Sequence, residues 1–119
     1  MSTPTVFNLE DALARVDEDE ELFQTLAELF VEQAPHDFAA AAAALKAGDA
    51  KAVAQAAHRL KGALVQFSAP RVLEATKELE TLGKTGSLQS AATVCHRVEQ
   101  ELQALIEALR AYLTRGSAS

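Results

Sequence analysis

The chain has one cysteine, Cys95, so it cannot close an internal disulfide. Packing must hold its fold, and a reducing cytosol is the expected compartment. Tryptophan is absent and aromatics make up only 5% of the residues. Three prolines and five glycines are too few to punctuate many short strands, and the remaining bias toward alanine, leucine and glutamate predicts an all-helical protein. No apolar run approaches the length of a membrane span, and Met1 to Thr5 lack the basic and apolar regions of a signal peptide. Cations are outnumbered 11 to 17, for a formal net charge of −6. That balance argues against a general nucleic-acid binder and for protein partners.

What remains is a chain of 119 residues, 49% hydrophobic, enough for one domain around one core. The domain is expected to span 1–119, with its core at about 7–114 and flexible tails at 1–6 and 115–119. A short helix is predicted from Asn8 to Arg15, with Asn8 as N-cap and Glu10 and Asp11 in its positive first turn. The acidic run Asp17 to Glu21 precedes a 3.6-residue period and fits a helix N-terminus. Leu22, Leu26, Phe30, Ala34, Phe38, Ala41 and Leu45 form the predicted stripe of that second helix, which continues through a kink at Pro35 to about Ala47. Gly48 and Asp49 read as a C-terminal glycine followed at once by an N-cap, a tight reversal. A third helix runs from Ala50 to about Phe67. A fourth, opened by Ser68-Ala69-Pro70, ends near Leu82 before a loop from Gly83 to Gly86. Ser87 caps a last helix ending at Leu113 or Thr114, with a seam of Ala91, Val94, Val98, Leu102, Leu105, Leu109 and Tyr112. One apolar stripe per helix and short connections predict an antiparallel up-down four-helix bundle carrying a short extra N-terminal helix.

The segment Ala57-His58-Arg59-Leu60-Lys61-Gly62 sets an imidazole, a cation and a glycine at i, i+3 and i+4, on one helix face. Val53, Ala57, Leu60, Leu64 and Phe67 fall within a narrow arc at roughly 100° per residue, and His58 lies about 140° from its centre. His58 is therefore expected in solvent. A glycine inside a helix costs about 1 kcal/mol relative to alanine, and Gly62 clears space beside the imidazole. Ala54 and Val65 add a small, partly apolar surface suited to docking.

These residues resemble the signature of histidine-containing phosphotransfer (HPt) domains, in which alanine or glycine precedes His-x-hydrophobic-Lys-Gly. The likeness extends over about residues 7 to 113. Leu22-Phe23, Phe30 and the stretch from Leu45 to Asp49 are similar to the family's first bundle helix and its Gly-Asp turn. Leu73, Leu79 and Glu80 are similar to its following Leu…Leu-Glu or Leu-Gln segment. The resemblance implies that His58 accepts a phosphoryl group from a receiver-domain aspartate and passes it to another receiver aspartate. Lys61 would stand beside the phosphoryl oxygens and Gly62 would leave room for the receiver's loops. It also implies a docking face, to which Ala54, Arg59, Val65, Gln66 and, from the first helix, Leu13 are assigned. Ala63, Val65, Gln66 and Ser68 depart from the family pattern, and Val65 narrows the approach to the imidazole.

A neutral imidazole has one nitrogen with a free lone pair. A carboxylate or amide holding Nδ1–H would fix the tautomer and leave Nε2 for attack. Glu80 stands where family members place a glutamate or glutamine against the histidine. A carboxylate there raises ring basicity more than a neutral amide would. The alternative for Glu80 is a solvated side chain paired with Lys77 or Lys84 along its own helix.

The implied partners are response-regulator receiver domains and a hybrid sensor histidine kinase, with neither nucleic acid nor membrane involved. The receiver would supply the Mg²⁺, so no cofactor is expected on this chain, nor a metal: His36, His58 and His96 share no i, i+3 or i+4 spacing. His36 and His96 read as surface residues, and Cys95 as an inert buried thiol. The chain carries no Gly-rich nucleotide loop, so autokinase activity is not expected. A different class of function is a structural or adaptor bundle in which His58 is incidental. Met1 and the short, capped N-terminus lean toward a free-standing protein; the resemblance implies a monomer, and the lone cysteine a cytoplasmic one.

Overall fold

A computed structural model describes residues 6–118; Met1 to Thr5 and Ser119, parts of the two expected flexible tails, lie outside the described residues. Five α-helices follow in order: α1 Leu9–Ala14, α2 Glu20–Lys46, α3 Ala50–Leu64, α4 Pro70–Thr85 and α5 Leu88–Ala118, with a 3₁₀ turn at Val65–Phe67. Helices α2 to α5 form the predicted four-helix bundle, and α1 packs beside the 3₁₀ turn and α2. Val6 and Phe7 pack against the core ahead of α1.

The caps explain where most helices start. Asn8, Asp19 and Asp49 each accept a hydrogen bond from the backbone N–H three residues on, satisfying a donor the first turn leaves open. The acidic run Asp17 to Glu21 is therefore divided. Asp17 and Glu18 take left-handed backbone angles in the α1–α2 turn, whereas Glu20 and Glu21 occupy the first turn of α2. At the end of α2, Gly48 N–H donates to Leu45 O and Asp49 N–H to Ala44 O, with Gly48 at φ +72°. This is the paired closure that a left-handed glycine allows.

Two expected features are corrected. First, the buried stripe of α2 is Phe23, Ala27, Phe30, Ala34 and Ala41, while Leu22 is exposed and Leu26 only half-buried. Phe23 brings a large ring into the core, where it meets Phe67 and Tyr112 edge-on with centroids 5.8 and 5.3 Å apart. Second, α4 does not stop before Gly83. It runs to Thr85 and closes on Gly86 at φ +75°, with Ser87 N–H donating to Leu82 O. Gly83 is instead buried inside α4, where an added Cβ would lie 2.7 Å from Ala54 N and 3.0 Å from Ala50 O. It is the point at which α4 touches the backbone of α3.

Smaller differences follow local chemistry. The third helix tightens to 3₁₀ geometry after Leu64 and ends at Ser68 in the left-handed region. Ala69 precedes α4 without a side-chain cap, and Pro70 fills the first helical position, where a missing N–H is harmless. Helix α2 continues through Pro35, which is exposed. The predicted seam of α5 is buried from Ala91 to Leu109, with Tyr112 packed at its edge, and α5 extends beyond Thr114 to Ala118. Among the described residues no helix is long and apolar enough to cross a membrane.

Candidate functional site

The site lies on the seam between α3 and α4. Val53, Ala57, Leu60 and Leu64 are buried, as the arc required, and this turns the His58 side chain out to 69% exposure. On α4, Val72, Ala75, Thr76 and Leu79 face inward. Glu80, next to Leu79, is thereby carried to the edge of the core, where it is only 4% exposed.

A buried carboxylate must be paired or it will take up a proton. Glu80 has three partners. Lys61 Nζ lies 2.7 Å from Oε1, His58 Nδ1 lies 2.9 Å from Oε2, and Lys84 Nζ lies 3.3 Å from Oε2. The Lys61 ammonium does most to hold the Glu80 carboxyl at about 2, against burial that works the other way; His58 and Lys84 add to it. Among the described residues no fully buried side-chain nitrogen or oxygen lacks a partner.

The tautomer follows. An ionised carboxylate only accepts hydrogen bonds, so His58 Nδ1 must carry the hydrogen at 2.9 Å. In the neutral ring Nε2 is then the nitrogen with the lone pair, and most of the ring stands in solvent. Glu80 is buried rather than solvated, which corrects the alternative reading; of that reading only the pairing with Lys84 along its own helix remains, beside the contact with His58 across the seam. Lys61 differs from expectation in posture. Its ammonium is bonded to Glu80, one carboxylate away from the imidazole.

The surroundings of His58 divide by exposure. Arg59, Gly62, Val65 and Gln66 are exposed and Leu13 is half-buried. A Cβ on Gly62 would meet nothing within 4 Å, so the space beside the imidazole is open. Ala54, expected on the open face, is 9% exposed and covered by Gly83; it belongs to the helix contact rather than to the surface. Helix α3 carries Lys51, Arg59 and Lys61 and no acidic residue, which makes this face basic on an acidic protein.

Periodicity missed a groove of about 250 Å³ between α2 and α3, lined by Leu26, Leu29, Phe30, Gly62, Gln66 and neighbours. Leu29 on its rim is 58% exposed. The signal was present in the sequence. Leu22, Leu26 and Leu29 form one apolar row and Phe23, Ala27, Phe30 and Ala34 another, and one helix face cannot bury both. The remaining candidates stand apart: His36 is exposed on α2, and exposed His96 lies 3.7 Å from Glu99. Cys95 is buried, which pushes its thiol pKa up, with the Glu99 charge adding to the effect.

Comparison with known proteins gives the same reading. Among curated proteins none matches the chain. Histidine-containing phosphotransfer protein B (HptB) from Pseudomonas aeruginosa PAO1 has a similar solved structure, with a TM-score of 0.87 and 25% identity over 95% of this chain and 98% of that one. The HPT domain of the Hpt sensor hybrid histidine kinase from Shewanella shares the fold, with a TM-score of 0.83 and 17% identity over 92% and 95% of the two chains. The family model of the Hpt domain matches residues 25–112, from the α2 face through His58 and Glu80 to the end of the α5 seam. With its histidine exposed and tautomer-fixed on the α3–α4 seam, this chain belongs to the Hpt domain family.

Proposed function

We propose that this chain is a phosphorelay intermediate in which His58 accepts a phosphoryl group from a receiver-domain aspartate and passes it to another receiver aspartate. The observation that carries this reading is the exposed imidazole whose Nδ1–H is held by a buried, ionised Glu80. In the forward step the Nε2 lone pair attacks phosphorus. The P–O bond to the receiver's aspartyl carboxylate breaks, and its electron pair leaves with that carboxylate. The proton on Nδ1 stays where it is. Transfer to the next receiver reverses these bond changes with a second aspartate as nucleophile.

Such transfer depends mainly on positioning and charge neutralisation. Glu80 supplies the first by fixing ring and tautomer. Lys61 supplies part of the second by exchanging some of its contact with Glu80 for the arriving phosphoryl oxygens. The receiver brings Mg²⁺ and its own lysine, so this chain holds no cofactor and has no autokinase activity. The receiver docks over Gly62, Val65, Gln66 and Arg59, with Leu29 and the α2–α3 groove beneath its apolar edge and Leu13 at the margin. The basic face of α3 complements an acidic aspartyl-phosphate site. The protein acts as a cytoplasmic monomer.

The test is phosphotransfer from a phosphorylated receiver. His58→Gln is expected to abolish labelling, whereas His36→Gln and His96→Gln retain it, and the label is lost in mild acid. Label that survives His58→Gln would overturn the reading, and a parent chain that takes no label from any phospho-receiver would leave an adaptor bundle as the function.

A further inference from the structure

Glu80 places a full negative charge 2.9 Å from Nδ1, where a glutamine at the same position would place only a carbonyl dipole. The difference bears on the phosphorylated state. Once the N–P bond has formed at Nε2, the ring still carries hydrogen on Nδ1 and is an N-phosphoryl imidazolium. If that proton stays, the ring leaves phosphorus as neutral imidazole. If it is lost to water, the leaving group becomes imidazolate, a far stronger base and a poor leaving group.

Resting on the phosphocarrier reading, we propose that Glu80 keeps the Nδ1 proton in place throughout the phosphoryl cycle, so that phospho-His58 stays in its readily transferred form at physiological pH. Glu80 acts here through the ring, as a positioning residue. Its burial leaves the carboxylate little water to bond, so the Nδ1–H remains one of its few donors. Two cations oppose it. Lys61, from α3, sits on the other oxygen, and exposed Lys84, from α4, shares Oε2 with His58. Arg59, also on α3, is exposed and water-screened. Among the described residues no charged group of α2 or α5 pairs with the ring or with Glu80. The balance at Nδ1 is thus set by one near anion against two cations that are already neutralising that anion.

The arrangement predicts opposite shifts for two substitutions. Glu80→Gln removes the anion, and the phosphorylated ring loses its proton at lower pH. Lys84→Gln removes the cation that shares Oε2, and the ring keeps its proton to higher pH. Lys84 is exposed, so that substitution leaves the packing alone.

The full chain, in a background of His36→Gln and His96→Gln, is phosphorylated with potassium phosphoramidate, a donor that needs no receiver. The donor is removed, and loss of the phosphohistidine signal is followed by ³¹P NMR between pH 5 and 9. Hydrolysis is fast while Nδ1 is protonated and slows above a midpoint. The Glu80→Gln midpoint is expected about one pH unit below that of the parent, with hydrolysis up to about tenfold slower between the two midpoints. The Lys84→Gln midpoint moves the other way. Coincident profiles for all three proteins overturn this inference and leave the phosphocarrier reading standing. A parent in which His58 takes no phosphoryl group at all overturns both.

Discussion

Alanine at Gly83 should destabilise this protein, although helix propensity alone predicts the reverse. Gly83 lies inside α4 with ordinary helical geometry, and replacing an interior glycine by alanine normally stabilises a helix by about 1 kcal/mol. Here the new Cβ would sit 2.7 Å from Ala54 N, 3.0 Å from Ala54 Cα and 3.0 Å from Ala50 O. All three are backbone atoms of α3, so no side chain can swing aside. Either the two helices separate until the 2.7 Å contact relaxes, or both backbones bend. Forcing a methyl group into such packing costs typically about 1–3 kcal/mol. With rigid backbone on both sides we take the upper part of that range, which leaves a net loss of about 1–2 kcal/mol after the propensity gain. For a domain of this size the melting temperature should fall by roughly 5–10 °C. Gly62→Ala is the matched control. It adds the same methyl in α3 where nothing lies within 4 Å, and it should gain stability by up to about 1 kcal/mol. Urea unfolding of the three proteins, followed by circular dichroism, measures the difference. If Gly83→Ala proves as stable as Gly62→Ala, the close approach of α3 and α4 is not what keeps glycine at position 83.

Two other outcomes follow from the site. Gly62→Gln should keep or raise the unfolding midpoint, since the position opens to solvent and glutamine favours a helix over glycine, yet block transfer from a phospho-receiver by filling the space beside His58; a folded variant that transfers normally would refute the steric role. Glu80 has its carboxyl lowered from 4.5 to about 2 in the folded state, so its contribution to stability is fully present above pH 4.5 and disappears as pH falls toward 2. The stability gap between the parent and Glu80→Gln, measured by urea unfolding, should therefore narrow over that window; a gap that stays constant from pH 5 down to 2 would show that the ion pairs around Glu80 contribute nothing.

His58 could be placed from the sequence because the evidence lies on one helix. The arc of Val53, Ala57, Leu60 and Leu64 fixes the inward direction, and the imidazole follows by subtraction. The Gly48–Asp49 reversal was legible for the same reason, since a left-handed glycine and an N-cap are local devices. Residues failed to declare themselves where two elements compete. Helix α2 offers a leucine row and a phenylalanine-alanine row, and the period of 3.6 is the same for both. The larger ring of Phe23 and the small alanines that let neighbours approach decide the matter through packing, which a single helix cannot reveal. Gly83 and Gly86 were equally good stops for α4. What separates them is the Ala54 backbone, more than a full helix earlier in the sequence.

Glu80 belongs to this second group. Nothing in its own helix marks it, since its neighbours Lys77 and Lys84 would suit a solvated surface glutamate equally well, and only the family resemblance singled it out. Its distance to His58 is a property of how far apart α3 and α4 stand. Ala54 lies one turn before His58, and Gly83 lies one turn after Glu80. The glycine contact and the His58–Glu80 pair are therefore neighbouring rungs of one helix–helix ladder. A glycine at 83 lets the backbones meet, and meeting there brings a carboxylate on α4 within 2.9 Å of an imidazole on α3. The same closeness buries Glu80, and the burial is what makes Lys61, Lys84 and the Nδ1–H necessary to it. The contact between His58 and Glu80 thus rests on a residue with no side chain at all.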